Sequence, residues 1–308
     1  MDIVYLVSHE FDYSKRMYNG DCGPEYAESL GLSSVCWKDF ENIKGLNAFV
    51  DTRIQQAEID ELESLIIRKK DCKFLMAVTD PYIENENDNP YMQLLFRLSN
   101  QSHVCIVSKY QPEEIIKDLL HLYTEKRFLT LNYVYDPAKE ISISSRKKNK
   151  ILFSGATYKE IYPERFIFLK RTRRNICRFY IDLLIHPGYP DTGGKLQHKI
   201  IGDEYIKFVG QYKYMFISPS RCSLEFLKYR EAAYAGVLPI GMCPKTFTNE
   251  MERAFFKINP KNPILDLIKL FFMSKCEYQQ RVIAYRESFR LQRSKESQKQ
   301  KLIKFLST

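Results

Sequence analysis

The chain has 308 residues, 44% of them hydrophobic and 14% aromatic, with a formal net charge of +9. That length is about two domains' worth, and that much apolar and aromatic material fills packed cores, which excludes extended disorder. The positive balance favours anionic partners, among them nucleotide phosphates, nucleic acid and acidic lipid headgroups, without choosing among them.

In chain order, the apolar run 3–7 predicts a buried first strand, after an N-terminus that is too acidic and too short in apolar residues for a signal peptide. A turn-rich loop follows over 12–24, then a helix over 25–32 and a short strand at 48–50. Ile59, Leu62, Leu65 and Ile66 repeat at helical spacing and predict a helix over 55–69. FLMAV at 74–78 is a second buried strand, ending in Thr79-Asp80-Pro81. A helix over 91–98, a strand over 103–107, a helix opened by Pro112 and running to Leu122, and a strand over 128–135 complete the first half. This alternation predicts an α/β fold with a mostly parallel sheet covered by helices on both faces. The polar, basic stretch 138–149 breaks it, and the domain linker is placed at 141–149, between a first domain over 1–140 and a second over 150–285.

The second domain alternates in the same way. Strand 150–153 enters Ser154-Gly155-Ala156, helix 163–172 has Pro163 in its first turn, and strand 180–185 ends at His186-Pro187. A helix over 203–213 leads into SPSRCSLEFLKYREAAYAGVLPIG at 218–241, an apolar strand's exit loop, a helix closed by Gly236 and a further strand. A helix over 264–272 precedes a long, very basic helix over 277–306. No stretch approaches the ~18 consecutive apolar residues of a membrane span. The eight cysteines contain no CxxC, so neither a zinc ribbon nor a dithiol motif is present. Thiols within apolar runs read as packed and reduced, hence a cytoplasmic setting.

Two successive blocks of this kind, ending in a long helix, resemble the GT-B glycosyltransferase architecture. The resemblance is strongest over roughly 150–245. ILFSGATYKEIYPER resembles the first strand and loop of a GT-B donor domain. Lys228, Glu231, Gly236 and the LPIG strand at Leu238, Pro239, Ile240 and Gly241 match a K-x-x-E-x-x-x-x-G pattern of bacterial and viral surface-polysaccharide transferases. The resemblance implies two Rossmann-like domains with a cleft between them and a C-terminal helix, 286–308, crossing back onto the first domain. It also implies a nucleotide-sugar donor and a glycan or lipid-linked acceptor. Glu231 inherits binding of the donor ribose. Many retaining relatives carry another acid eight positions earlier, where this chain has Ser223, so inversion or retention stays open.

Several residues have both a chemical and an ordinary reading. Lys228 is suited to donor phosphate, and equally to an i−3 ion pair with Glu231. Ser220 and Ser223 are suited to phosphate, or to capping the following helix. Gly155 allows close approach of a ligand to the backbone. Tyr162 lies beside it, and Arg165 is suited to clamping phosphate or to a solvated surface. His186 before Pro187 resembles the phosphate-binding His-Pro of CMP-sugar-using transferases, and reads otherwise as a loop histidine. His9 and Asp80, just past strand ends, are the candidate catalytic bases, with strand capping and turn formation as the alternatives. No DxD is evident, so leaving-group charge is expected to fall on side chains rather than on a metal. The basic terminal helix is suited to packing on the first domain or to peripheral contact with an anionic membrane. An epimerase or hydrolase of the same architecture is the rival within enzymes. A basic nucleic-acid-binding protein is the rival outside them, but the 21 Tyr and 20 Phe are spread along the elements, and no nucleic acid is expected.

Overall fold

A computed structural model describes residues 2–15, 22–78, 89–110, 114, 128–173, 176–188, 197–220 and 223–307. It divides into two compact units, Met1–Val134 with Lys295–Thr308, and Tyr135–Ser294. The predicted helix from Pro112 to Leu122 and the candidate base Asp80 fall outside the described residues, apart from Glu114.

The first unit holds a six-stranded sheet, β2-β1-β3-β4-β5-β6, in which every pair is parallel. Its strands are β1 (Ile3–Val7), β2 (Ser34–Cys36), β3 (Asn47–Val50), β4 (Phe74–Ala77), β5 (Val104–Ser108) and β6 (Phe128–Thr130). Strand alternation sends neighbouring side chains to opposite faces. Val4, Leu6, Ala48, Val50, Phe74 and Met76 therefore pack on α2 (Ile59–Arg68) and α3 (Pro90–Leu98). Ile3, Tyr5, Phe49, Leu75 and Ala77 pack on α1 (Gly23–Leu30) and on Leu302 of the terminal helix. Both faces are covered, so β1 (IVYLV) and β4 (FLMA) are apolar at every position, as their composition predicts. β6 ends at Thr130, earlier than the predicted Tyr135. Beyond it the backbone turns to other partners: Asn132 N–H donates to the Gln298 side chain at 2.9 Å.

The second unit is built the same way. Its parallel sheet has the order β8-β7-β9-β10-β11, with β7 (Lys148–Ser154), β8 (Ile181–Leu184), β9 (Tyr212–Ile217), β10 (Leu238–Gly241) and β11 (Phe256–Lys257). Its helices are α4 (Pro163–Thr172), α5 (Gly202–Val209), α6 (Leu227–Ala235), α7 (Asn249–Ala254), α8 (Pro263–Phe271) and α9 (Lys275–Gln292). α5 stops short of the predicted Lys213 because Tyr212 already belongs to β9. The stretch placed as a linker, 141–149, belongs to this unit: Ile141 N–H donates to Tyr234 O at 3.0 Å, and β7 starts at Lys148.

The terminal basic stretch is two helices rather than one. α9 stays with the second unit, and α10 (Lys295–Leu306) belongs to the first. The cause is visible in three arginines. Arg286 donates to the carbonyls of Ala233 and Tyr234 at the end of α6 and to Ile141 O, all within 3.0 Å. Arg290 pairs with Glu140 at 2.7 Å, and the buried Arg293 pairs with the buried Glu225 at 2.9 Å. The packing of 286–294 is therefore on α6 and its surroundings, and only the last turns, 295–306, join the first unit. Gly236, which closes α6, has φ +58°, and a Cβ there would lie 2.6 Å from Arg286 Nη2 and 2.7 Å from Ile143.

Both sheets share the order 2-1-3-4-5. In such sheets consecutive crossovers leave in opposite directions beside the first strand, opening a crevice at the carboxyl ends where ligands bind. In the first unit this switch point lies between β1 and β3, in the second between β7 and β9.

Candidate functional site

At the β7/β9 switch the chain brings together residues distant in sequence. β7 ends on the buried Ser154, and Gly155 follows with φ +99°, a conformation that admits glycine readily. Its missing side chain leaves room for two cations: a Cβ there would lie 3.0 Å from Lys228 Cε and 3.2 Å from Arg165 Nη1. Lys228, in the first turn of α6, donates to Ser154 Oγ at 3.3 Å and to Tyr205 Oη at 3.2 Å. Arg165, in the first turn of α4, is buried and reaches the carbonyls of Ala156 and Ser218, each at 3.4 Å. Its guanidinium lies 4.3 Å from the Tyr162 ring centre. The buried hydroxyls of Ser218 and Ser220, on the exit from β9, have no hydrogen-bond partner among the described residues.

Arg165, Lys228 and the close Gly155 backbone form a cradle suited to phosphate oxygens, with Ser218 beside it through its carbonyl. The electrostatics agree. Burial pushes the Lys228 ammonium down to about 8, with Glu231 opposing the shift and Arg165 adding to it. Cationic charge is thus held there under strain that an anion relieves. Burial also raises the Glu231 carboxyl, against the pull of Lys228 and Arg230.

The ordinary reading of Lys228 and Glu231 as an ion pair fails. Lys228 turns to Ser154 and Tyr205, and among the described residues Glu231 makes no hydrogen bond or ion pair. A half-buried carboxylate left in this state is suited to accepting from ligand hydroxyls. The capping reading of the two serines fails as well. α6 starts at Leu227 after Phe226, with no side-chain cap. Ser223 Oγ instead accepts from Lys245 N–H at 3.0 Å.

His186, just beyond β8, joins the same neighbourhood. Burial and the nearby charges of Lys228, His198 and Arg165 lower its pKa, so the ring is neutral at pH 7. Its Nδ1 accepts from Gly188 N–H at 3.1 Å. A cavity of about 430 Å³ lies alongside, lined by Gly155, Tyr158, Ile161, Tyr162, Leu183 and His186 among others.

The β1/β3 switch of the first unit holds His9. Its Nδ1 lies 2.7 Å from Glu58 Oε1, and its Nε2 lies 2.9 Å from Glu10 Oε1. Glu58 is buried, and it also accepts from the hydroxyl of Ser8, from Trp37 Nε1 at 2.6 Å and from Gln55 N–H at 2.8 Å. Burial alone would raise its carboxyl, but these donors outweigh that and hold it below the usual range, so Glu58 stays ionised. Tyr13 fastens the same loop, donating to the buried Asp51 and accepting from Ser8 N–H at 3.0 Å. His9 is thus an oriented imidazole rather than a strand cap. Sequence reasoning missed Glu58, which sits within an ordinary amphipathic helix start, and it missed Ser154, Ser218 and Tyr205. The only signal for the two serines was their position at strand ends.

No family model and no curated protein matches the chain. Solved structures do. It is similar to an alpha-glucosyltransferase in complex with UDP-glucose and DNA containing an abasic site, with TM-score 0.61, 10% identity and 99% of each chain covered. It is similar to an alpha,alpha-trehalose 6-phosphate synthase from Burkholderia multivorans, with TM-score 0.58, 12% identity, and 97% of this chain and 77% of that one covered. It is also similar to S. aureus TarM, solved with UDP among its ligands, with TM-score 0.51, 11% identity, and 85% of this chain and 55% of that one covered. Identities this low speak to architecture and not to substrate. The parallel sheets, their strand order and these likenesses give this chain the fold of the GT-B glycosyltransferases.

Proposed function

We propose that the chain is a glycosyltransferase that takes a sugar from a nucleotide-sugar donor and passes it to a glycan or lipid-linked acceptor, in the synthesis of a surface glycan. The observation that carries this reading is the convergence of Arg165 and Lys228 on the Gly155 backbone at the β7/β9 switch. Departure of a nucleotide leaves negative charge on phosphate oxygens, and fixed cations in a partly dry site stabilise it with no reorganisation. Arg165 and Lys228 supply that charge and the hydroxyls of Ser218 and Ser220 add donors. In this reading no metal is required.

Glu231 accepts from the ribose hydroxyls, and neutral His186 meets the donor as a hydrogen-bonding group rather than as a cation. Tyr162 holds the Arg165 plane. In the first unit, His9 takes the acceptor's proton, oriented through Nδ1 by ionised Glu58. UDP is the first nucleotide to test, because the similar structures named above include complexes with UDP or UDP-glucose. CMP-sugars are the second, on the His186-Pro187 resemblance.

The test is a thermal-shift series with UDP, GDP and CMP and their sugars, followed by product analysis with and without acceptor. Stabilisation by one nucleotide and sugar transfer to an added glycan or lipid-linked acceptor support the reading. Hydrolysis or epimerisation in place of transfer would leave the fold and replace the function. So would steeply salt-dependent binding of DNA with no nucleotide-sugar binding.

A further inference from the structure

The second unit carries an apolar surface that donor chemistry does not use. The 3-10 turn Ile176–Tyr180 and β8 expose Ile176 (72%), Phe179 (62%), Leu183 and Ile185 within ten residues. β8 is the last strand of its sheet. α8 extends this surface. At about 100° per residue, Ile264, Leu265 and Ile268 fall within one arc of the helix and are exposed. Leu267 and Leu270 fall on another arc and are buried in the core. A helix on the outside of a globular unit needs one apolar face, and α8 has two. Phe272, at its end, is 86% exposed. The rings of Tyr180 and Phe271, 4.9 Å apart, join the two segments.

Cations outnumber acids around this surface. Arg178 and Lys269 are exposed on these segments, and Lys170, Arg171 and Arg173 are exposed at the end of the preceding helix α4. The described acids there are already engaged: Asp182 pairs with Lys150 at 2.7 Å, and Asp266 accepts from Asn259 N–H at 2.9 Å. A second copy related by two-fold symmetry would set these cations against one another. Nucleic acid would meet the cations but leave the aliphatic side chains unburied. A bilayer with acidic headgroups satisfies both.

We propose that the surface formed by the 176–180 turn, β8 and α8 seats the chain on the anionic face of a phospholipid bilayer. This names a different surface from the terminal helix that the sequence suggested, whose Arg286, Arg290 and Arg293 are taken up by protein partners. Leu183 and Ile185 also line the cavity beside Gly155, so the seated surface borders the phosphate cradle. A lipid-linked acceptor would present its head group there; only that consequence rests on the sugar-transfer reading, and the seating does not.

The test is flotation of the full chain with vesicles of phosphatidylcholine alone or mixed with phosphatidylglycerol, at low and high salt. The expected result is binding to the mixed vesicles, weakened by salt. It should fall at least about tenfold in the triple variant Phe179→Ser, Leu265→Ser, Phe272→Ser, since each substitution removes a large apolar side chain from the bilayer. All three side chains are exposed, so the variant keeps its fold, and its unchanged affinity for UDP separates this proposal from the donor site. Failure of the parent to float with mixed vesicles, or equal flotation of the variant, overturns it. So does a solution dimer that the triple variant dissociates, which gives the surface to a second copy. Duplex DNA binding that the triple variant loses gives it to nucleic acid and overturns it too.

Discussion

Lys228 places a titration inside the proposed donor site. Burial lowers its pKa from 10.5 to about 8. An adjacent diphosphate favours the ammonium, so binding draws the proton back. With a free-protein pKa of about 8, roughly nine-tenths of Lys228 is charged at pH 7 and roughly one-tenth at pH 9. Donor affinity therefore falls about tenfold across that interval, equivalent to about 1.4 kcal/mol. Stability moves the other way. A lysine whose folded pKa lies below its unfolded one binds more protons unfolded, so the free protein gains stability from this group as pH rises from about 8 toward 10.5. Calorimetric titration of UDP at pH 7, 8 and 9, in two buffers of different ionisation enthalpy, reads both the affinity and the proton taken up. The same series on Lys228→Met cancels any titration of the ligand. A flat affinity in the parent, or the same fall in the variant, would refute the reasoning.

Glu231→Gln should weaken nucleotide-sugar binding about tenfold to a hundredfold, the worth of hydrogen bonds to a charged group. Its melting temperature should hold or rise: the folded carboxyl is raised by burial, so its ionised form is a destabilising group above the unfolded pKa. Gly155→Ala places a methyl group 3.0 Å from Lys228 Cε on backbone at φ +99°, and should lower UDP affinity at least about tenfold, read by the ligand-induced thermal shift. Glu58→Gln should lower kcat about tenfold to a hundredfold with donor KM unchanged, because it disturbs the orientation of His9 and leaves the phosphate cradle intact. An unaltered kcat would remove His9 from the chemistry. Gly236→Ala should cost about 2–4 kcal/mol in chemical denaturation, from left-handed backbone together with overpacking against Arg286 and Ile143.

The sheets were legible because their strands are covered on both faces. IVYLV, FLMAV and YMFI are apolar at every position, which only a parallel sheet between helices needs. β2, β11 and α7 were not legible, since two to six residues carry no period. Ends were misjudged where tertiary partners decide them: Arg293, buried against Glu225, breaks the terminal helix that its composition reads as continuous. The cations of the site were visible from their place near strand ends. Their convergence was not, because Gly155, Arg165 and Lys228 meet only once β7 and β9 lie side by side. The pairing of His9 with Glu58 spans 49 residues and follows from the fold alone.

That a donor diphosphate rests at the β7/β9 switch is tested most directly by a crystal structure of the full chain grown with UDP. The phosphate oxygens should lie within hydrogen-bonding distance of Arg165, Lys228 and the Gly155 backbone, with the ribose on Glu231. Nucleotide bound elsewhere on the chain, with Lys228 still held on Ser154 and Tyr205, would contradict it.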